Sequence, residues 1–301
     1  KGLTLMHIQV ADATRTAVAN VVKRFEEATG AKVTVEAIKN DPFKQKLNVA
    51  LPSNSPPDVF HTWGGGVFAD FVKRGLVAPI PEDFPVGGIR PQALEFCKVD
   101  GKLYAVPTDF SIVCFWYRKS LFAKHGIDVP KNFGQLVQAC LKLKGAGLTP
   151  IALGNVEHWP GAFYFDYLVL RLGGAAEYVT KSSTAGQPEK TPAARVAARL
   201  TQALVAAGAF PDGFSGLNYG QSRGILFKGD AAMTLMGTWL LSYAISDRPE
   251  VLADLALFPF PAVGGGPGPE ALLGGTNAAY AISAKCKHKE LAGKLVPVLS
   301  N

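Results

Sequence analysis

Three of the four tryptophans lie in sequence contexts where a flat ring would be available to a ligand. Trp63 follows an apolar strand pattern and precedes three glycines, Trp159 lies in a polar segment broken by proline, and Trp239 ends a strand-like run just beyond a glycine. Aromatic faces suit ligands with flat, weakly polar C–H faces, of which sugar rings are the commonest example. Ordinary core packing is the alternative for each ring taken alone.

A serine nucleophile is the main enzymatic alternative. Gly220–Gly224 fits the pattern G-x-S-x-G, which in hydrolases presents a serine on a sharp turn between a strand and a helix. The residues before Ser222 do not form a strand pattern, and those after it continue as a helix to Gly229. The sequence therefore favours a helical serine over a catalytic one.

Metal and nucleotide sites are not indicated. The five histidines form no H-E-x-x-H motif, and the four cysteines are far apart with no zinc spacing. The cysteines allow two disulfides or four free thiols. The glycine triplets at 64–66 and 264–266 match neither a dinucleotide fingerprint nor a P-loop, so we expect no cofactor.

Composition limits the class of protein. The 301 residues are 48% hydrophobic and 18% charged, which predicts a folded chain with room for two domains. The longest charge-free apolar stretch, 231–246, is shorter than a membrane-spanning helix requires. The formal net charge is +7, but the basic residues are scattered, so we expect no nucleic-acid partner.

The elements that must position these residues alternate between strand and helix. The first forty residues predict a strand, a helix carrying Val18, Val22 and Phe25, and a second strand. A third strand leads into Trp63, and 68–75 predicts a helix. This alternation is typical of an α/β fold with a largely parallel sheet.

Later elements suggest a second compact region. Residues 101–107 predict a hairpin strand and 112–117 a separate strand, followed by helices over 133–143 and 193–207. Residues 182–191 have the composition of a linker. A strand over 278–283 and a helix over 287–295 close the chain.

Four segments together resemble the extracellular solute-binding proteins of ABC transporters, in the carbohydrate-binding branch that includes maltose-binding protein. The first is 25–35, and the second is 57–63, which ends in Trp63, together with 75–80. The third is 101–119. The fourth comprises 227–239, which ends in Trp239, and 275–283 with the helix after it. They occur in the family's order along nearly the whole chain.

The resemblance implies a class II periplasmic-binding-protein-like α/β fold, with two lobes, a hinge and a ligand cleft between them. Residues 1–109 with about 278–301 would form the N-terminal lobe, and 114–270 the C-terminal lobe. The chain would cross near 109–113 and 270–278. Because family members continue beyond the equivalent of Asn301, we expect the C-terminal lobe to be incomplete.

The resemblance also implies binding residues. Trp63 and Trp239 match stacking positions, and Asp12 matches an acidic position that binds hydroxyls. Further contacts are expected from Asp109 and Ser111 in a hinge loop. Glu157 and Trp159 would contribute from the corresponding loop of the second lobe, and Gly275 and Asn277 from another crossing. Gly64, in the triplet after Trp63, predicts a roomier wall than that of maltose-binding protein, so maltose is not assumed.

The implied function is binding of a sugar, an oligosaccharide, and its delivery to the membrane permease of an ABC importer by lobe closure. The expected protein is a monomer without catalytic activity. It would act in the periplasm or anchored at the cell surface, as a mature form without a signal peptide. A non-sugar small solute and hydrolysis at Ser222 remain the alternatives.

Overall fold

The computed structural model describes residues 2–183 and 191–300, which form two compact units. Unit 1 comprises residues 1–111 and 274–301, and unit 2 comprises 112–273. The chain therefore crosses between the units twice, once after Ser111 and once after Leu273. Most of the segment 182–191, which the sequence predicts as a linker, lies outside the described residues.

The strands and helices alternate along much of the chain. In chain order the strands are β1 (Gly2–His7), β2 (Lys32–Ala37), β3 (Val59–Thr62), β4 (Val77–Ala78), β5 (Lys98–Val99), β6 (Lys102–Leu103), β7 (Ala105–Arg118), β8 (Thr149–Ile151), β9 (Ala231–Gly237), β10 (Leu255–Phe258) and β11 (Gly274–Ser283). The helices are α1 (Asp12–Thr29), α2 (Asn40–Ala50), α3 (Gly65–Lys73), α4 (Pro91–Glu95), α5 (Lys119–Lys124), α6 (Phe133–Gly145), α7 (Trp159–Ser183), α8 (Pro192–Ala206), α9 (Tyr219–Lys228), α10 (Leu240–Asp247) and α11 (Lys289–Leu299).

Unit 1 is built on a mixed sheet with the order β2-β1-β3-β11. β1 pairs in parallel with β2 and β3, whereas β11 runs antiparallel to β3. Helix α1 buries Val22 and Phe25, and ends at Gly30 in the left-handed conformation, as the sequence predicts. Phe43 and Phe68, from α2 and α3, are buried in a core on this sheet.

Unit 2 is built on the order β7-β9-β8. β7 is antiparallel to β9, β8 is parallel to β9, and β10 pairs with β7. Asn218 and Gln221 form a reciprocal capping box at the start of α9, and Gly229 ends that helix. The core is rich in stacked rings, including Tyr167 against Phe260 with centroids 4.8 Å apart.

Helix α7 holds both chain ends of unit 2. The hydroxyl of Tyr167 donates to the carbonyl of Val113 and accepts from the backbone N–H of Leu273 at 3.1 Å. The buried Arg171 donates to the carbonyls of Phe260, Gly268 and Ala271. These bonds satisfy a buried guanidinium with backbone acceptors and fix the segment that precedes the second crossing.

Two predictions about local structure are wrong. The separate strands predicted at 101–107 and 112–117 are largely one continuous strand, β7, so Asp109 and Ser111 lie in a strand rather than in a hinge loop. Trp159 begins helix α7 rather than lying in a loop, because proline at the next position is tolerated in the first turn of a helix.

The remaining general predictions concern cysteines, metals and membranes. All four cysteines are buried and unpaired, and burial raises the pKa of the Cys97 and Cys140 thiols to about 12. Within 2–183 and 191–300, no group of three metal-ligating side chains could hold an ion. No helix in the same ranges is long and apolar enough to cross a membrane.

Candidate functional site

Unit 2 brings two of the three predicted tryptophans together. Trp159 at the start of α7 and Trp239 just before α10 have ring centroids 6.2 Å apart. Phe163, one turn further along α7, lies 5.7 Å from Trp159 and 6.2 Å from Trp239. Tyr219, the first residue of α9, lies 5.2 Å from Trp159. Both tryptophans are half-buried.

Gly237 at the end of β9 sets the position of the Trp239 ring. A Cβ atom built on Gly237 would lie 2.0 Å from Cζ3 of Trp239, a distance that two carbon atoms cannot share. The ring therefore covers the backbone at the end of the strand, and only glycine allows it to do so.

Polar groups adjoin this aromatic cluster. Nε1 of Trp159 is buried and has no hydrogen-bond partner among the described residues. The carboxylate of Glu157 accepts from the backbone N–H of Tyr219 at 3.1 Å, and so occupies the N-terminus of α9. A carboxylate has further acceptor capacity beyond that bond.

An arginine supports the same cluster from another side. The guanidinium of Arg223 lies 3.8 Å from the ring centroid of Tyr243 and 5.2 Å from that of Tyr219. It also pairs with Asp247 at 2.8 Å. Burial raises the pKa of the Tyr219 hydroxyl above its ordinary value, so the group remains a neutral donor and acceptor.

In unit 1, Trp63 directly follows β3, as the sequence predicts. The rings of Phe43 and His61 meet it edge to face, with centroids 5.8 Å and 4.8 Å away. Nζ of Lys44 lies 5.2 Å from the ring centroid, close enough for a cation–π contact. Trp63 is half-buried, so these neighbours orient the ring without enclosing it.

Two buried histidines lie in unit 1, and one of them, His61, contacts Trp63. Burial lowers the pKa of His7 to about 4. For His61, burial, together with the nearby charge of a protonated His7, lowers the pKa to about 3. Neither ring nitrogen of His61 has a hydrogen-bond partner among the described residues. Both rings are therefore neutral near pH 7. His61 acts as a packing group, whereas Nδ1 of His7 accepts from the backbone N–H of Gln9 at 3.0 Å.

The predicted polar residues of unit 1 divide into a joined pair and two separate residues. Nδ2 of Asn277 donates to Oδ2 of Asp109 at 2.6 Å, so β11 and β7 bring these two side chains together. Ser111 is buried in β7. Asp12 is the first residue of α1, exposed, and paired with Arg15 on the same helix at 2.7 Å. No contact connects Asp12 to Asp109 or Asn277 among the contacts described.

The two predicted glycines meet at one phenylalanine. Gly64 has a φ of 71°, and a Cβ there would lie 2.2 Å from the carbonyl oxygen of Phe96. A Cβ on Gly275 would lie 3.2 Å from the ring of the same residue. Phe96 thus links the loop after Trp63 to the strand that carries Asn277.

The geometry gives the hydrolase alternative no support. Ser222 lies inside α9, is buried, and donates to the carbonyl of Tyr219 at 3.0 Å. A serine nucleophile needs an exposed hydroxyl at a strand-to-helix turn with a base beside it.

Sequence reasoning missed several aromatic and basic side chains that lie at or near the predicted residues. They are Lys44, Phe96, Phe110, Phe163, Tyr219, Arg223 and Tyr243. Phe163 could have been found, since it lies one helical turn after Trp159. The others come from elements far apart in sequence, and only the fold brings them together.

The comparisons with known proteins agree on one family. A family model described as bacterial extracellular solute-binding protein matches residues 9–301. The chain is 30% identical over 277 residues to the diacetylchitobiose binding protein DasA of Streptomyces coelicolor, covering 89% of this chain and 62% of that protein. It is 26% identical over 228 residues to an uncharacterised ABC transporter extracellular-binding protein of Pyrococcus horikoshii, covering 73% of this chain and 50% of that one.

A solved structure reported with xylan utilization by Caldanaerobius polysaccharolyticus superposes with a TM-score of 0.93 at 29% identity. The match covers all of this chain and 78% of that one. Against the two curated relatives, by contrast, the chain spans only about half to three fifths of their length.

Proposed function

The chain belongs to the family of bacterial extracellular solute-binding proteins, and on that premise we propose that it binds a sugar for an ABC importer. The sugar is an oligosaccharide, and the protein releases it unchanged to a membrane permease outside the cytoplasm. The observation that carries the proposal is the half-buried pair of Trp159 and Trp239, whose rings lie 6.2 Å apart.

The groups around this pair complement the apolar faces and the hydroxyls of a sugar. Aromatic rings cover the apolar C–H faces, while acceptors and donors at the rim take the hydroxyls. Trp159 contributes a buried Nε1 donor without a partner, and Glu157 contributes a carboxylate with acceptor capacity to spare. In unit 1 the corresponding groups are Trp63 and the joined pair of Asp109 and Asn277.

The test is a calorimetric screen of the whole chain against sugars of increasing length. The probes are xylose, xylobiose, xylotriose, diacetylchitobiose, cellobiose, maltose and raffinose. At least one is expected to bind and to change tryptophan fluorescence. If none binds, but a polyamine, peptide or other non-sugar solute does, the sugar assignment is wrong.

Substitution of Trp239 locates the site. Trp239→Ala is expected to weaken binding of the best probe at least tenfold, about 1.4 kcal/mol. Leu241→Ala is the matched control, because Leu241 is 45% exposed on the neighbouring helix α10. Equal affinities for the Trp239 variant and this control would remove Trp239 from the site.

A further inference from the structure

Strand β2 is an open edge of the unit 1 sheet. It pairs with β1 on one side, and no strand of the described residues pairs with it on the other. All of its residues except Val33 are exposed, including the apolar Val35 at 39%. An edge strand presents unpaired N–H and C=O groups that another chain can pair with, so a protein must either guard such an edge or use it.

The backbone ladder shows which groups of β2 point away from β1. The backbone N–H of Ile38 donates to the carbonyl of His7 at 2.9 Å. In a parallel pair, every second residue of a strand bonds to the neighbouring strand, so Thr34 also bonds toward β1. The N–H and C=O groups of Val33 and Val35 therefore point outward.

A carboxylate holds one of these outward groups. The backbone N–H of Val33 donates to Oε1 of Glu26 at 2.8 Å, and Nζ of Lys32 lies 3.3 Å from Oε2 of the same side chain. Glu26 belongs to α1, so a helix side chain occupies the position in which the carbonyl of another strand would accept. Among the contacts described, the outward N–H of Val35 has no such acceptor.

The sequence of β2 is complementary to itself when two copies run antiparallel. If Thr34 lies opposite its equivalent in a second copy, Val33 lies opposite Val35. One position further out, Lys32 lies opposite Glu36. Opposite charges and β-branched side chains directly across from each other stabilise antiparallel strands. The Lys32 side chain is 84% exposed and that of Glu36 is 49% exposed, although Glu36 also pairs with a lysine of α2.

We propose that β2 is a docking edge for a second copy of this chain, which pairs antiparallel about Thr34, and that Glu26 limits this pairing by holding the N–H of Val33. The arrangement is two-fold symmetric, so it closes as a dimer. The outward groups of Val33 and Val35 exchange four backbone hydrogen bonds when both Glu26 side chains are displaced, and only two when they are not. The contact is small, so the dimer is weak and the monomer is the form at low concentration. None of these residues belongs to the candidate sugar site, and the inference is independent of the proposed function.

The first test measures association of the whole chain by sedimentation equilibrium up to millimolar concentration. Glu26→Ala frees the N–H of Val33 and is expected to strengthen association about tenfold. Glu27→Ala is the matched control, because it removes the same charge from the next position of α1 and leaves the bond to Val33 in place. Val35→Pro in the Glu26→Ala background removes an outward N–H that β1 does not use, and is expected to abolish association.

The second test reverses the charges of β2 in the Glu26→Ala background. Lys32→Glu and Glu36→Lys each place like charges opposite one another, and each is expected to weaken association about tenfold. The double reversal recreates opposite charges and is expected to restore association. Since the formal net charge is +7, a general charge effect would instead strengthen association in the first variant and weaken it in the second.

The outcomes decide each part of the proposal. A Glu26→Ala protein that stays monomeric up to millimolar concentration overturns the docking edge. Association that survives Val35→Pro, or a double reversal no stronger than the single ones, assigns the contact to another surface and overturns it as well. Equal association of wild type and Glu26→Ala overturns the role of Glu26. If Val35→Pro lowers the melting temperature, the charge reversals decide, because those side chains are exposed.

Discussion

At the scale of single residues, Glu157 illustrates how a side chain can serve the fold and the ligand together. Its carboxylate accepts from the backbone N–H of Tyr219, where α9 begins with otherwise unpaired donors. Its position beside Trp159 also makes it a candidate hydroxyl acceptor. The two roles depend on different properties, since capping needs an acceptor and strong hydroxyl binding needs the charge.

Two variants of Glu157 separate these roles. Glu157→Gln keeps an acceptor oxygen, so we expect a change in unfolding free energy below about 0.5 kcal/mol but about a tenfold loss of sugar affinity. Glu157→Ala removes the acceptor as well and is expected to cost about 1 kcal/mol of stability. Urea unfolding and calorimetry measure the two quantities. Unchanged affinity in Glu157→Gln would assign the residue to helix capping alone.

The buried histidines of unit 1 predict a specific pH dependence of stability. The pKa values of His7 and His61 are lowered to about 4 and about 3, so the unfolded chain binds protons on these rings at a higher pH than the folded chain does. Their contribution to stability is complete above about pH 6.5. It is lost progressively as the pH falls from there through about 4, with a loss on the order of 3 kcal/mol for His7 alone.

Substitution of His61 is expected to flatten this acid slope. His61→Leu replaces a titrating ring with a side chain of similar size that does not titrate. The nitrogens of the His61 ring have no hydrogen-bond partners among the described residues, and His7 is left to titrate alone. Urea unfolding between pH 7 and 4 measures the slope, and His125→Leu in unit 2 is the control. An acid slope as steep as that of the wild type would show that His61 is not the group responsible.

At the scale of elements, the sequence predicts those whose hydrophobic period and end signals agree. For helix α1 the sequence predicts Val22 and Phe25 at helical spacing and a terminal glycine, and the structure has both features, with the two side chains buried. Helix α2 was not predicted, because it buries only Phe43 and Leu47 and lacks a side-chain cap. The sequence pattern predicts two strands where the structure has the continuous strand β7, because a local pattern cannot show that a strand passes from one unit to the next.

The predicted periplasmic-binding-protein-like α/β fold is confirmed by the superposition over the whole chain. The candidate site was predicted in part. The tryptophans at strand ends have a local signal, because each follows an apolar run near glycine. Phe96 has none, since its role depends on Gly64 and Gly275, which lie 32 positions before it and 179 after it.

Two glycines at the start of α3 provide a test of that dependence. Gly64 directly precedes the helix, and Gly66, in its first turn, is the matched control. Gly64→Ala would put a Cβ on a residue with φ of 71° and within 2.2 Å of the Phe96 carbonyl, and is expected to cost at least about 1–3 kcal/mol. Gly66→Ala meets nothing within 4 Å inside the helix, and is expected to stabilise by up to about 1 kcal/mol. Thermal or urea unfolding compares them, and equal effects of the two substitutions would contradict the proposed strain at Gly64.

At the scale of the whole molecule, the distribution of aromatic residues makes a prediction that neither unit makes alone. Unit 1 carries Trp63 and unit 2 carries Trp239, and each unit has its own core. If ligand binding is to drive closure, the ligand must favour the closed state by interactions with both units. Its total affinity then depends on both rings, although they are 176 positions apart in sequence.

Trp63→Ala and Trp239→Ala are therefore each expected to lower sugar affinity at least tenfold, about 1.4 kcal/mol, and to abolish a ligand-induced decrease in radius of gyration at sugar concentrations that saturate the wild type. Calorimetry gives the affinities, and small-angle X-ray scattering with and without sugar gives the radius. Val67→Ala and Leu241→Ala, exposed on α3 and α10, are the controls for each unit. If only one tryptophan variant loses affinity, or if the wild type binds sugar at an unchanged radius of gyration, the ligand is held by one unit and closure is not how binding is signalled.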